Sequence, residues 1–348
     1  MSTRLVNPAG QYDLAIIGGG PAGASAACAA RRLGASVLVI DTMKIGRPPE
    51  VIPALALSIF KEQGFELNGL LAGCARVNRF ASIWTDGKTR QRSCISAPFG
   101  EDIVVDRYVL AKRMRSAAEQ MGAIWRSAKV KDISRTSGTG FVLANSDGST
   151  ARCRQLIIAT GRTPFGALQG NKVHWADSQV AIYPAQNAQA REIGDSAEFI
   201  LETCFDGWWY GLRASDQSTY PVLVAEARHV ARHSAWSHWF NDKLQATAHL
   251  SKQSWPKRYA LEDLRICSAR TSAHRTPCGD GWSLAGDVRL AIDPASGNGV
   301  LRAIQDGVRA VDLLSAKHGP RSRRDFARHH VEDWQSTLTQ RARMYAAG

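Results

Sequence analysis

The stretch DLAIIGGGPAGASAACAARRLGASVLVID, residues 13–41, constrains the fold of this chain more than any other. Its first six residues, 13–18, are apolar and β-prone, which predicts a strand buried on both faces. Residues 22–34 are rich in alanine and close at Gly34, as a helix with a glycine stop does. SVLVID, residues 36–41, then reads as a second strand, completing a βαβ unit. Between the first strand and the helix, Gly18, Gly20 and Gly23 stand in the spacing G-x-G-x-x-G. The first glycine permits a sharp turn, the second lets the backbone approach a pyrophosphate, and the third lets helix and strand pack closely. The helix N-terminus presents N–H groups and the positive end of its dipole to phosphate. Asp41, ending the second strand, is placed to accept hydrogen bonds from ribose hydroxyls. A dinucleotide site in an α/β fold is the expectation.

Length and composition narrow the setting. The chain has 348 residues, 44% of them apolar, enough for one large or two ordinary domains. No run approaches the roughly 20 apolar residues that span a bilayer, and the opening MSTRLVNPAGQY lacks the apolar core of a signal peptide. A cytoplasmic protein without a membrane span is expected. The seven cysteines (Cys28, Cys74, Cys94, Cys153, Cys204, Cys267 and Cys278) form no C-x-x-C pair. That argues against zinc, a disulfide framework or a dithiol redox motif, and reduced, buried thiols are expected instead. Cys267, His274 and Cys278 fit no common metal spacing, and His229 and His233 in HVARH lack the glutamate of a zinc-protease helix; no metal is expected. The net charge is +13, densest in KHGPRSRRDFARHH at 317–330. With no nucleic-acid module beside it, this segment reads as a solvated helix face, with an acidic partner protein as the second reading.

Further along, PPEVIP (48–53) is a proline-rich loop before the amphipathic helix ALALSIFKEQG. A helix entered through Asp106 follows, then strands near AIWR and KVKDIS, and a hairpin over 140–160 about a Ser-Asp-Gly-Ser turn. From about 175 to 265 come short β-like runs and polar helical stretches, and 283–316 returns to strand, Gly-rich loop and helix. LIIATGR (156–162) is an apolar strand entering Ala159, Thr160 and Gly161. WSLAGDVRLAIDPASGNGVLRAIQDG, from residue 282, is a strand reaching Gly286 and Asp287, then Pro294-x-x-Gly297-Asn298-Gly299, then a helix.

In this order, these motifs resemble the FAD-binding fold of the glutathione-reductase type, in the branch that contains the aromatic hydroxylases. Asp106-Arg107-x-x-Leu110 adds the Arg-x-x-Leu helix of that family. The resemblance implies FAD as cofactor, held through Gly18, Gly20, Gly23, Asp41, Arg107, Val130, Thr160, Gly161 and Asp287. Pro294, Gly297, Asn298 and Gly299 complete the set at the flavin edge. It also implies a Rossmann-like FAD domain interleaved with a β-sheet substrate domain. FAD-binding segments are expected at 1–75, 100–170 and 265–315, substrate-binding segments at 76–99 and 171–264, and a C-terminal helix at 316–348.

DGWWYGLRASDQSTYPVLVAE (206–226), PPEVIP, NRFASIWTD (78–86) and DWQSTLTQRARMYAA narrow the resemblance to the tryptophan-halogenase-like flavoproteins of the LodB-like and QhpG-like subgroup. This implies a monooxygenase that oxygenates a tryptophan of a partner protein on the way to a tryptophylquinone cofactor, through a flavin C4a-hydroperoxide. It calls for O2 and for either a transient NAD(P)H reductant or reduction from elsewhere, and makes Glu50, Trp84, Trp208 and Trp209 the pocket candidates. Trp208 and Trp209 are adjacent on a strand, so one at most lines a given cavity. The chain departs from the subgroup at Pro49, where a glycine is usual, and at Gly286-Asp287-Val288-Arg289, where Gly-Asp-Ala-Ala is usual. True halogenases carry W-x-W-x-I-P and a catalytic lysine; here 210–213 reads YGLR and no lysine falls between Lys44 and Lys61, which speaks against halogenation. Other readings stay open: a small-molecule aromatic hydroxylase or halogenase, a geranylgeranyl-type reductase, and a non-catalytic flavin-binding protein.

Overall fold

The computed structural model describes all residues except 1–10, 43–48, 85–86, 94–99, 137, 139, 164–172, 186–195, 215–218, 253–257, 316–319 and 347–348. The N-terminal stretch before Gln11, Lys44, Cys94 and residues 317–319 of the basic segment lie outside the described residues. The expected βαβ unit is present as β1 (Gln11–Ile17), α1 (Pro21–Arg32) and β2 (Val37–Asp41). Gly34 closes α1 with a φ of +81°, which suits a residue without a side chain. β1 lies between β2 and the strand Thr150–Ile158, parallel to both. Parallel strands Trp282–Leu284 and Ile124–Ser127 extend this sheet on either side. The hairpin about Gly148 pairs Phe141–Asn145 with Thr150–Ile158.

The continuous apolar run of β1 is explained by cover on both faces. Leu14 and Ile16 pack with α1 and the helices Arg107–Gln120 and Gly299–Leu314, whereas Ala15 and Ile17 pack with Phe141, Leu143 and Leu156. Two glycines make the helix layer possible. A Cβ on Gly23 would come within 1.9 Å of the Gly18 carbonyl oxygen, and one on Gly307 within 2.2 Å of the Ala22 carbonyl oxygen. Ser25 Oγ donates to the Ile304 carbonyl at 3.0 Å, fixing the crossing of the two helices.

A second sheet of nine strands carries the aromatic stretch. Its order runs from the edge strand Leu264–Ser268 through Gln179–Pro184, Thr219–Glu226, Gly207–Ala214, Ser196–Cys204 and Ala75–Ile83 to Ile103–Val105 and Glu50–Ile52, with Thr89–Ser93 beside Ala75–Ile83. Three of these strands, Glu50–Ile52, Ile103–Val105 and Leu264–Ser268, come from segments expected to belong to the FAD domain, so the chain crosses between the sheets more often than the segment boundaries suggest.

The C-terminal helix, Pro320–Ala346, is tied to the nucleotide fold through the arginine that breaks the usual Gly-Asp-Ala-Ala pattern. Arg289 is buried and grips Asp306 through Nε and Nη2, each at 2.8 Å. Nη2 also reaches Asp333 at 2.9 Å, and Nη1 donates to His330 Nδ1 at 3.1 Å. His330 Nε2 donates in turn to the His274 carbonyl at 2.7 Å. Among the described residues no helix is long and apolar enough to cross a membrane.

Candidate functional site

Three sequence motifs far apart in the chain meet because their strands are neighbours. Gly18 N–H donates to the Ile40 carbonyl, Ala159 N–H to the Ile17 carbonyl and Ala285 N–H to the Ile158 carbonyl, at 2.7–2.9 Å. The turns at 18–23, 159–162 and 285–287 are thus stitched together at the carboxyl ends of adjacent parallel strands, where open α/β sheets bind ligands. They form one side of a cavity of about 1000 Å³.

The cavity suits a dinucleotide. Gly20, Gly161, Gly297 and Gly299 line it, and a Cβ built on any of them meets nothing within 4 Å, so bare backbone faces open space. Gly161 and Gly297 have φ of +68° and +65°, a region that disfavours side chains. α1 begins with Pro21 and has no side-chain cap, leaving its first N–H groups available to an anion. Gly18 is required for another reason: its φ is +102° and a Cβ would lie 2.3 Å from the Ala159 carbonyl oxygen. Gly19, an unassigned position of the fingerprint, is also forced, because a Cβ there would meet Trp125 at 2.2 Å and Asp41 Oδ2 at 2.9 Å.

Of the residues expected to hold the cofactor, Gly18, Gly20, Asp41, Arg107, Val130, Thr160, Gly161, Asp287, Pro294, Gly297 and Gly299 line the cavity. Gly23 and Asn298 stand just behind the wall, Gly23 at the helix–strand contact and Asn298 as N-cap of the helix Gly299–Leu314. Two ion pairs mark the cavity. Arg107 Nη1 binds Glu50 Oε1 at 2.7 Å, and Arg162 Nε lies 3.3 Å from Asp287 Oδ2. Burial opposes the charge on Arg107, but Glu50 and Asp287 override it and hold the guanidinium above its ordinary value. Arg162 also donates to the carbonyls of Arg270 (2.6 Å) and Ile292 (2.9 Å), bridging both halves of the site. Sequence reasoning passed over it, although it directly follows the Ala-Thr-Gly turn.

Opposite the glycine-rich turns stands one face of the nine-stranded sheet. Phe80, Phe199, Tyr210 and Trp208 line the cavity there as a ladder of rings. Phe80 and Phe199 stack at 5.1 Å between centroids, Phe199 and Tyr210 at 5.9 Å, and Trp208 lies 5.9 Å from Tyr210. Phe80 and Phe199 are direct cross-strand partners, a pairing that neither strand reveals alone. Burial, and then the nearby Glu50, push the Tyr210 phenol well above its ordinary pKa, so it stays protonated. Trp209 turns to the opposite face, as strand alternation requires, and packs on Phe240 at 5.0 Å; it does not reach the cavity. Trp84 packs against the Leu201–Trp208 cluster without lining the cavity. Glu50 lines it, through its pair with Arg107.

Elsewhere, His229 Nδ1 lies 3.5 Å from Asp206, and His233 stacks on Trp239. Among the described residues no cluster has the makings of a metal site, and the six described cysteines are free.

Residues 12–193, more than half of the chain, match the pyridine nucleotide-disulphide oxidoreductase family. Menaquinone reductase of Mycolicibacterium smegmatis is 26% identical over 334 residues, covering 87% of this chain and 76% of that protein. Digeranylgeranylglycerophospholipid reductase of Thermoplasma acidophilum is 20% identical over 358 residues, covering 93% and 86%. The solved structure of the peptidyl tryptophan dihydroxylase QhpG, essential for tryptophylquinone cofactor biogenesis, is 20% identical with a TM-score of 0.74, covering 96% of this chain and 73% of that one. The chain therefore belongs to the pyridine nucleotide-disulphide oxidoreductase family and is an FAD-dependent oxidoreductase.

Proposed function

We propose that this enzyme is a monooxygenase that oxygenates an aromatic ring, the indole of a tryptophan on a partner protein, in the making of a tryptophylquinone cofactor. The observation that carries the reading is the ladder of Phe80, Phe199, Tyr210 and Trp208 facing the glycine-rich turns across one cavity. Aromatic rings prefer offset or tilted contact with other rings, so such a wall suits a planar aromatic group. The fold shared with QhpG agrees with it.

In this reading α1 and Gly18–Gly23 hold the pyrophosphate, Asp41 and Val130 the adenosine end, and Arg107, Thr160, Gly161 and Asp287 the middle. Pro294, Gly297, Asn298 and Gly299 border the flavin edge, where glycines admit the ring to bare backbone. The segments 1–75, 100–170 and 265–315 carry the cofactor apart from the strands Glu50–Ile52, Ile103–Val105 and Leu264–Ser268, which pair into the sheet that 76–99 and 171–264 build for the substrate. Bound there, FAD supplies reduction of O2 by two electrons, drawn from NAD(P)H, and transfer of one oxygen atom to the ring; the other oxygen leaves as water. The chain's own groups orient the ring and exclude water. Tyr210, kept protonated, is a hydrogen-bond donor on the wall, and the Glu50–Arg107 pair fixes a charged corner beside it. The net charge of +13 favours an acidic partner.

The test supplies FAD, NADH and isotopically labelled O2 with an acidic tryptophan-containing peptide, and reads intact mass. Labelled oxygen on the indole is the expected outcome. Labelled oxygen on free aromatic compounds alone would replace the protein substrate with a small one. A second reading, reduction of an isoprenoid double bond, is favoured by the likeness to menaquinone reductase and digeranylgeranylglycerophospholipid reductase. It predicts turnover without O2 and a product that gains two hydrogens and no oxygen.

A further inference from the structure

Behind the aromatic wall, the last turns of the C-terminal helix carry a polar junction that the oxygenation reading does not use. Tyr345 Oη accepts a hydrogen bond from Trp208 Nε1 at 3.0 Å and one from Gln179 Nε2 at 2.8 Å, and donates to Asp293 Oδ2 at 3.0 Å. A phenolic hydroxyl has one proton to give and two lone pairs to accept with, so every valence is taken. Two of its partners, Trp208 and Asp293, line the cavity from opposite sides of the fold. The Trp208 N–H end is turned toward Tyr345, which leaves the indole ring as the surface that the cavity meets.

Asp293 is 1% exposed and fully engaged. Its Oδ1 accepts from Ala295 N–H at 2.9 Å, which starts the tight turn Pro294–Ser296 and delivers the chain to Gly297 in a left-handed conformation. Arg341, one turn before Tyr345, places Nε 3.2 Å from Asp293 Oδ2 and 3.2 Å from Asp177 Oδ2, and lies over the Tyr345 ring at 4.6 Å. Asp177 in turn accepts from Gln179 N–H at 3.1 Å and Thr271 N–H at 3.2 Å. One guanidinium thus serves two buried carboxylates from two parts of the chain. Burial raises the Asp293 carboxyl above its ordinary pKa against the pull of Ala295 N–H, Tyr345 and Arg341.

We infer that Tyr345 and Arg341 are positioning residues that lock the substrate wall at Trp208 to the cofactor-edge turn 293–299, so that wall and turn keep one fixed spacing. The inference rests on FAD occupying the cavity and is independent of whether the reaction is oxygenation or reduction. It explains why a helix outside both sheets sends a tyrosine and an arginine to the back of the site rather than ending on apolar contacts.

The experiment is amide hydrogen exchange on the FAD-loaded protein with Tyr345→Phe, which removes one oxygen from a ring that is 40% exposed. Exchange across 294–300 is expected to quicken by about tenfold, the size of one lost hydrogen bond to a charged group. β1, α1 and β2 should keep their protection, and the visible circular dichroism of the bound flavin should change. Unchanged exchange at 294–300, or loosening confined to 320–346, would show that the tyrosine only anchors its own helix and would overturn the inference. Should Tyr345→Phe not fold, Asp293→Asn takes its place, because it keeps an acceptor for Ala295 N–H and withdraws the one for Tyr345. The same local quickening is expected from it, and its absence would overturn the inference equally.

Discussion

At the scale of single residues, Gly18 and Gly20 look equivalent in the sequence, yet the structure separates them. Gly18 combines a positive φ with a carbonyl 2.3 Å from where a Cβ would sit, whereas Gly20 is extended and faces open cavity. Gly18→Ala is therefore expected to cost about 1–3 kcal/mol of stability, with flavin content falling as the strand ends part. Gly20→Ala should leave the melting temperature of the flavin-free protein unchanged and weaken FAD binding alone. Thermal melts and flavin titrations of the two variants check this. His330 gives a pH prediction. Burial, reinforced by Arg289, lowers its pKa from 6.5 to about 4, so the folded state holds the neutral ring that accepts from Arg289. The unfolded chain binds the proton more readily, so this contribution is complete above pH 6.5 and is lost as pH falls toward 4. It amounts to on the order of 3 kcal/mol. Urea midpoints between pH 7 and 4 should fall less steeply in His330→Gln than in the wild type.

At the scale of elements, the nucleotide unit was legible because its signals are local. A strand, a glycine turn, a helix with a glycine stop and a second strand each announce themselves within a few residues, and elsewhere Asp106 does cap the helix Arg107–Gln120 through bonds to the N–H groups of Tyr108 and Val109. What escaped the sequence was contact between elements far apart. The departure at Arg289 looks like a blemish in a motif; in the fold it is the cation that joins its own turn to two helices, one through Asp306 and the other through Asp333 and His330. Nothing within several residues of Arg289 reveals those partners, which lie 17–44 positions away. Arg289→Met should leave the buried Asp306 carboxylate unpaired and cost about 3–5 kcal/mol. Chemical denaturation measures the loss, and Arg289→Met with Asp306→Leu should recover part of it, since an apolar pair of similar size avoids the buried charge.

At the scale of the whole molecule, the site is an encounter between two sheets. The glycine turns that form one side of the cavity could be named from their spacing, since phosphate recognition by backbone needs glycine at fixed positions. The facing wall could be named only in part. Trp208 was a candidate through the GWWY stretch, but NRFASIWTD pointed to Trp84 rather than Phe80, Phe199 stands in a strand with no motif, and the two phenylalanines meet only through sheet pairing. Trp209 shows the limit from the other side: its neighbour lines the cavity and it does not, and strand alternation says that one of the two must turn away without saying which. The interleaving of the segments has the same origin, because Glu50–Ile52 and Ile103–Val105 lie in sequence beside the expected cofactor motifs yet pair into the nine-stranded sheet.

The central claim, that this cavity holds FAD and turns it toward O2 and an aromatic ring, is tested most directly by rapid mixing. The flavin-loaded protein is reduced without oxygen and mixed with oxygenated buffer, with and without an acidic tryptophan-containing peptide, while the flavin spectrum is followed. A transient spectrum distinct from both reduced and oxidised flavin, decaying faster when the peptide is present, is the predicted result. Single-step reoxidation that the peptide leaves unchanged would contradict oxygenation, and a purified protein that takes up no flavin at all would contradict the site itself.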